Sequence, residues 1–192
     1  MARLTNLTER GYETQRLLRD VLLSLIVEKG YERVSIKDIT ARAAIDRTTF
    51  YLHFRDKDDL FEKSQRFIVD ELMELRSRAV GPFPGISITF EHMAHNAEAY
   101  LAIWRSGGFA ASANTFNEYI AQSMLPVLEP MLRENGIADS SLPAPLAYYL
   151  TGALQGLARW WLEAGMPKSP EEMARLFLAL AKSGITSLSR KA

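Results

Sequence analysis

Apolar residues in this chain recur with the period of a helix, and strand-like alternation is absent. Leu17, Leu18, Val21, Leu22, Leu25 and Ile26 mark one face of a helix from Thr14 to Lys29, and Gly30 is placed to end it. Ser35 starts a second helix, with Asp38 three residues on in a capping-box pattern and Ile36, Ile39 and Ala43 as its inner stripe. After the corner Ala44-Ile45-Asp46, Asp46 caps a short third helix, Arg47 to Phe54. Asp56 caps a fourth, with Asp59 at its third position, running to about Val80. The break Gly81-Pro-Phe-Pro-Gly85 follows. Further helices are predicted at about 87–105, 110–133 (interrupted near Pro126 and Pro130), 145–164 and 170–189. Ser169-Pro170-Glu171-Glu172 has the cap, the leading proline and the acidic first turn of a helix start. The pattern predicts an all-α chain with a helix-turn-helix domain over 1–56 and a helical bundle over 57–192, the fourth helix belonging to both.

At 192 residues, 47% hydrophobic and 24% charged, the chain can bury a real core. The absence of cysteine removes disulfides and thiolate metal sites. Met1 to Glu13 is polar, and no apolar run approaches the ~20 residues that span a bilayer, so a cytoplasmic protein without a membrane partner is expected. Net charge is zero. Residues 1–55 nevertheless carry ten Lys and Arg against seven Asp and Glu, which permits an N-terminal contact with an anion without demanding it.

Two helices of about two turns joined by a three-residue turn form a helix-turn-helix, whose second helix can enter the major groove. On the third helix Phe50 faces inward with Ile45 and Phe54, leaving Arg47, Thr48, Thr49, Tyr51, Leu52 and His53 outward. An arginine at position 47 can fork to guanine O6 and N7, while Thr49, Tyr51 and His53 offer donors to phosphate. Lys57 lies in the first turn of the next helix, a poor place for a cation unless it meets an anion. Taken singly, Thr48 and Thr49 are better explained by a solvated face, which fits less well for Tyr51, His53 and Lys57 together.

The stretch EKGYERVSIKDITARAAIDRTTFYLHFRDKDDLF resembles the DNA-binding domain of the tetracycline-repressor (TetR) family, over Thr14 to about Ser64. Its specific marks are Gly30-Tyr31, Ser35-Ile36-Lys37-Asp38-Ile39, Thr49-Phe50-Tyr51, His53-Phe54 and Lys57-Asp58-Asp59-Leu60. The resemblance implies a transcriptional regulator that binds a palindromic double-stranded operator as a homodimer. It puts Lys37, Arg47, Thr48 and Tyr51 near bases, and Ser35, Thr49, His53 and Lys57 near phosphates. The chain departs from the family at the corner: Ala44 stands where glycine is common, implying a turn without a left-handed residue or some strain, and Asp46 stands where serine is common.

GALQGLARWWLEAGMPKSPEEMARLF, Gly152 to Phe177, resembles the C-terminal domain of TetR-like proteins grouped with regulators of dihydroxyacetone kinase operons, which include activators and repressors. That likeness implies a dimer built by the last two helices, with Leu154, Leu157, Trp161 and Leu176 the apolar residues to examine. Trp160 and Trp161, about 100° apart on a helix, cannot share a face, so one can be buried while the other meets a neighbour. Gly152 and Gly156 would allow close helix approach. Between the two ends, an unidentified small effector is expected near Phe67, Leu72, His95, Trp104, Phe116 and Tyr119, with Ile68, Leu75, Phe109, Asn96, Asn114 and Asn117 close by. Ordinary packing explains these residues more readily, since aromatics at helical spacing are usually core and asparagines usually surface. Glu91, His92 and His95 fall short of a metal-ligand set, and as acid and base groups they lack a nucleophile or phosphate loop, so neither a cofactor nor an enzyme activity is expected. The rival reading is a dimeric co-regulator that keeps the fold but acts through protein partners with weak or no operator binding.

Overall fold

The computed structural model describes the backbone of residues 2–77, 85–134, 136–137 and 139–189, with side chains described except over 2–9, 76–77, 107–112 and 185–189. Among the described residues the regular structure is helical: α1 (Ala2–Lys29), α2 (Ile36–Arg42), α3 (Arg47–His53), α4 (Lys57–Ser77), α5 (Ile86–His95), α6 (Ala97–Trp104), α7 (Gly107–Glu134), α8 (Pro143–Glu163) and α9 (Pro170–Ser189), with a 3-10 turn over Tyr31–Arg33. None of the helices searched is long and apolar enough to cross a membrane.

Two compact units result. One comprises residues 1–67 and 98–112, the other 68–97 and 113–192. The boundary expected after residue 56 therefore falls inside the first unit, which takes the start of α4 and also α6 from Glu98 onward. In that unit Leu18, Leu22, Leu25 and Ile26 of α1 pack with Ile39 of α2, Phe50 and Phe54 around α3, Leu60 and Phe61 of α4 and Ile103 of α6. Leu17, expected on the inner face of α1, is instead 43% exposed. It lies about 100° round the helix from Leu18, which takes the core position.

The helix ends follow sequence chemistry closely. Ser35 closes a full capping box with Asp38: the Ser35 amide donates to the Asp38 carboxylate at 2.8 Å, and the Asp38 amide donates to Ser35 Oγ at 3.2 Å. The Asp46 carboxylate accepts from the Thr49 amide at 2.7 Å, and Asp56 accepts from the Asp59 amide at 2.7 Å. Ser169 and Glu172 form a second reciprocal cap, at 2.7 and 3.2 Å. Gly30 ends α1 with φ +79. The expected extension of α4 to Val80 and all of the Gly81–Gly85 break except Gly85 lie outside the described residues.

Two predicted spans change. The single helix expected over 87–105 is two, α5 and α6, divided at Asn96 (φ −115, ψ 27). Asn96 Nδ2 donates to the His92 carbonyl at 2.9 Å, and His95 Nδ1 lies 2.8 Å from the Glu91 carbonyl. These side chains compete for helix acceptors, which favours termination. Conversely, α7 continues through Pro126 and Pro130. Both prolines are exposed, so water can serve the carbonyls whose helical donors they remove.

In the second unit α5 packs against α8 and α9. Ile86 and Phe90 of α5, Leu150, Leu154 and Trp161 of α8, and Met173 and Phe177 of α9 are all buried. The Trp161 ring meets the Phe90 ring edge-on at 5.4 Å, and its indole N–H donates to the Lys168 carbonyl at 2.9 Å. A buried indole with its donor satisfied is a strong anchor.

Candidate nucleic-acid interface

The turn between α2 and α3 is a Schellman motif. The Ala44 amide donates to the Ala41 carbonyl at 3.3 Å and the Ile45 amide to the Thr40 carbonyl at 3.1 Å. The motif demands a left-handed residue, and Ala44 supplies it at φ +53. Of the two options its sequence left open, the corner adopts the strained one. In return α3 leaves the turn with Phe50 fully buried and its opposite face in solvent.

On that face Arg47 and Thr48 are exposed, Tyr51 is 55% exposed, and Leu52 is 76% exposed. Thr49 and His53 are half-buried on the flank. Lys37 of α2 is exposed. Among the described residues no ion pair holds Lys37 or Arg47. Neighbouring cations are engaged: Lys29 pairs with Asp38 at 2.9 Å, Arg42 forks onto Glu28, and Arg55 and Lys63 share Asp59 at 3.4 and 3.0 Å. The Arg42 guanidinium holds the Glu28 carboxyl below its ordinary range. Hydrogen bonds from Ser35 and Lys29 hold Asp38 far below it. The Thr49 amide holds the Asp46 carboxyl below its ordinary range.

Two expected phosphate donors have partners within the chain. Ser35 Oγ donates to Asp38 at 2.6 Å. Lys57 donates to the Tyr31 carbonyl at 2.9 Å, with its ammonium 4.0 Å from the centre of the Tyr31 ring. An oxygen acceptor and a ring face thus explain a cation in the first turn of α4 without an external anion. The Tyr31 hydroxyl in turn donates to Asp58, and burial together with that carboxylate pushes the Tyr31 phenol well above its usual range. Leu52, which the sequence reading placed outward without a role, is the most exposed large apolar side chain of the described residues. Its position two residues from the core residue Phe50 was the available signal.

The residues expected around an effector divide between the units. In the first, the Phe67 ring lies 5.3 Å from Tyr12 and 4.5 Å from the Arg19 guanidinium, and Trp104 lies 5.7 Å from Tyr100. In the second, Leu72 is buried, His95 and Asn114 are exposed, and Phe116 and Tyr119 are half-buried. Tyr119 donates to Asp70, and Gln155 donates to the Asn117 side-chain carbonyl at 2.7 Å. Leu75 points largely to solvent. The Phe109 side chain lies outside the described residues.

The residues expected at a dimer surface split in the same manner. Trp161 is 0% exposed and Leu154 is buried, so in this structure both serve their own unit's core and neither is open to a neighbour. Leu157 is half-buried and Leu176 is exposed. Trp160, at 51% exposure, is the tryptophan open to solvent. Tyr149, Ala153, Gly156 and Trp160 form a second apolar line along α8, and with Leu180 of α9 they border a groove of roughly 370 Å³. Their 4-3-4 spacing was legible in the sequence as a second stripe beside the buried one.

Comparison with known proteins agrees with this architecture. Residues 18–63 match the family model described as bacterial regulatory proteins, tetR family, and residues 82–183 match one described as transcriptional regulator C-terminal region. An uncharacterized HTH-type transcriptional regulator of Bacillus subtilis, YwcC, is 30% identical over 174 residues, covering 77% of this chain and 76% of that protein. The chain spans only 46%, 36% and 44% of the length of three other curated relatives that it matches. Among solved structures, a TetR-family regulator of Syntrophomonas wolfei superposes with a TM-score of 0.75 at 20% identity, over 91% of this chain and 95% of that one. The dihydroxyacetone kinase operon activator DhaS superposes at 0.65 with 19% identity, over 90% and 96%, a likeness of fold. With both halves matched in order by regulator families, the chain belongs to the TetR family of transcriptional regulators.

Proposed function

We propose that this regulator binds a two-fold-related DNA operator as a homodimer, α3 entering the major groove. The observation that carries the reading is the pairing pattern around the corner. Among the described residues Lys37 and Arg47 stand exposed without ion pairs while Lys29, Arg42, Arg55 and Lys63 are held by carboxylates. An unpaired arginine beside hydroxyl-bearing Thr48 and Tyr51 suits base edges, and Thr49 and His53 on the flank suit phosphates. Ser35 and Lys57 can add to the phosphate contacts only by exchanging their present partners. The second copy is proposed to sit on the exposed line of α8, where Tyr149, Trp160 and Leu180 offer apolar area. Among the described residues a Cβ added at Gly152 or Gly156 would meet nothing within 4 Å beyond the nearby backbone of its own helix, so no described packing within the chain calls for a bare glycine there. A small effector is proposed for the second unit near Leu72, Phe116 and Tyr119, where the Asn117–Gln155 and Tyr119–Asp70 pairs are polar groups a ligand can displace.

Selection of duplexes from a random pool, followed by anisotropy titrations across salt, tests the DNA reading. Enrichment of an inverted repeat, with affinity falling steeply as salt rises, is expected. Failure to enrich any sequence would favour the co-regulator reading instead.

A further inference from the structure

Resting on the DNA-binding reading above, we propose that Leu52 reads a thymine through its 5-methyl group. Leu52 is 76% exposed, although burial of a leucine side chain is worth about 1.5–3 kcal/mol. Its place on α3 explains the exposure. Leu52 and Thr48 lie four residues apart and each about 160° round the helix from Phe50, which is wholly buried. They therefore form the crest of the helix, farthest from the core. Arg47 and Tyr51 lie on one side of that crest, Thr49 and His53 on the other. Every other large side chain outward on α3 carries a donor; Leu52 carries none, so it gains nothing from a phosphate or a base carbonyl. In the major groove the apolar feature is the C5-methyl of thymine, and an aliphatic side chain is its natural partner. Its neighbour Thr48 adds one methyl to the same crest.

A single chemical change isolates the contact. Replacing thymine by uracil in an A·T pair deletes the methyl and leaves every hydrogen-bonding group in place. The selected operator is therefore scanned with thymine-to-uracil replacements, and dissociation constants are measured for the unmodified chain, Leu52→Ala, Leu52→Met and Thr48→Ser. One thymine position per half-site is expected to respond. Loss of one buried methyl corresponds to about fourfold in affinity, hence about fifteenfold when both half-sites are changed. Leu52→Ala should bind the thymine operator more weakly and be indifferent to uracil at that position, and Leu52→Met should restore the sensitivity. Because Leu52 is exposed, Leu52→Ala is expected to keep the unmodified chain's unfolding midpoint. If an operator is enriched but no thymine methyl matters, the assignment is wrong while DNA binding stands. Sensitivity that survives Leu52→Ala and disappears in Thr48→Ser would move the contact to Thr48 and overturn it equally. Failure to enrich any operator removes the DNA-binding reading itself.

Discussion

Replacing Ala44 by glycine should stabilise the protein, against the usual trend for alanine near a helix. Ala44 occupies the left-handed position of the Schellman motif that ends α2, at φ +53. A left-handed alanine costs roughly 1–2 kcal/mol that glycine avoids. Glycine loses about 0.4–1 kcal/mol of that advantage because its unfolded chain is freer. Ala44 is exposed, so deleting its methyl forfeits little burial. The net expectation is a gain of about 0.5–1 kcal/mol. With a urea slope of roughly 3 kcal/mol/M, the unfolding midpoint should rise by about 0.2–0.3 M. The control is one residue away. Ala43 is buried with φ −74, so Ala43→Gly loses helix propensity and a packed methyl, roughly 1.5–2 kcal/mol in total. Both variants should be followed by circular dichroism at one protein concentration, since the midpoint of the proposed dimer would depend on it. A midpoint for Ala44→Gly equal to or below that of the unmodified chain would refute the reasoning about strain.

Trp160→Glu should yield a folded monomer by sedimentation, while Trp161→Ala should lose about 3–5 kcal/mol of stability, being fully buried with its N–H bonded. A dimer in Trp160→Glu would displace the proposed interface. Arg47→Ala should cost about 1–3 kcal/mol of discrimination at one base pair and leave the urea midpoint unchanged; equal loss on all operator variants would make it a phosphate contact. Lys57→Ala should lower stability by about 1 kcal/mol through loss of its Tyr31 contacts, and an unchanged slope of log affinity against log salt would confine Lys57 to that role. The Asp46 carboxyl is held below its usual range by the Thr49 amide, so its contribution is fully present above about pH 4, the ordinary aspartate pKa, and is lost as pH falls through the lower folded value. The Thr49 amide chemical shift should report that transition, and a midpoint at or above 4 would contradict the cap.

Helix starts were the most legible part of the chain. Ser35, Asp46, Asp56 and Ser169 each cap as their sequence context predicts, because a cap is decided within four residues. The errors came where a distant environment decides. Pro126 and Pro130 look like breaks until both prove to face solvent. Asn96 is exposed, as its residue type suggests, but the sequence did not show that its side chain takes a helix carbonyl where α5 ends. Leu17 and Leu18 are equally apolar, yet only the packing of α2 and α4 against α1 selects Leu18. The same limit governs Trp160 and Trp161. Periodicity kept the two off one face and allowed one to be buried, but only the meeting of α5 with α8 chose Trp161.

A count of charges along the sequence cannot resolve which cations the fold leaves for a partner. A formal net charge of zero gives no reason to expect a nucleic-acid partner, and an excess of three cations in residues 1–55 is a weak one. What a phosphate or a guanine meets is the set of cations left after the chain has satisfied its own carboxylates. Glu28 lies fourteen residues from Arg42, and Asp38 nine from Lys29, so neither pair follows from i, i+4 spacing. Only once α1 and α2 are packed together do Lys29 and Arg42 drop out, while among the described residues Lys37 and Arg47 beside the corner keep no ion pair. Exposed surface pairs are worth at most ~1 kcal/mol each, so their contribution to stability is small. On the proposed DNA-binding reading their larger effect is on recognition: they neutralise the flank and leave Lys37 and Arg47 to present positive charge beside α3. Reversing one pair, as in Glu28→Lys, adds charge without adding a base contact. If the proposed DNA binding holds, such a change is expected to strengthen attraction to any duplex and so narrow the margin by which the operator is preferred, which paired titrations on operator and random duplex would measure.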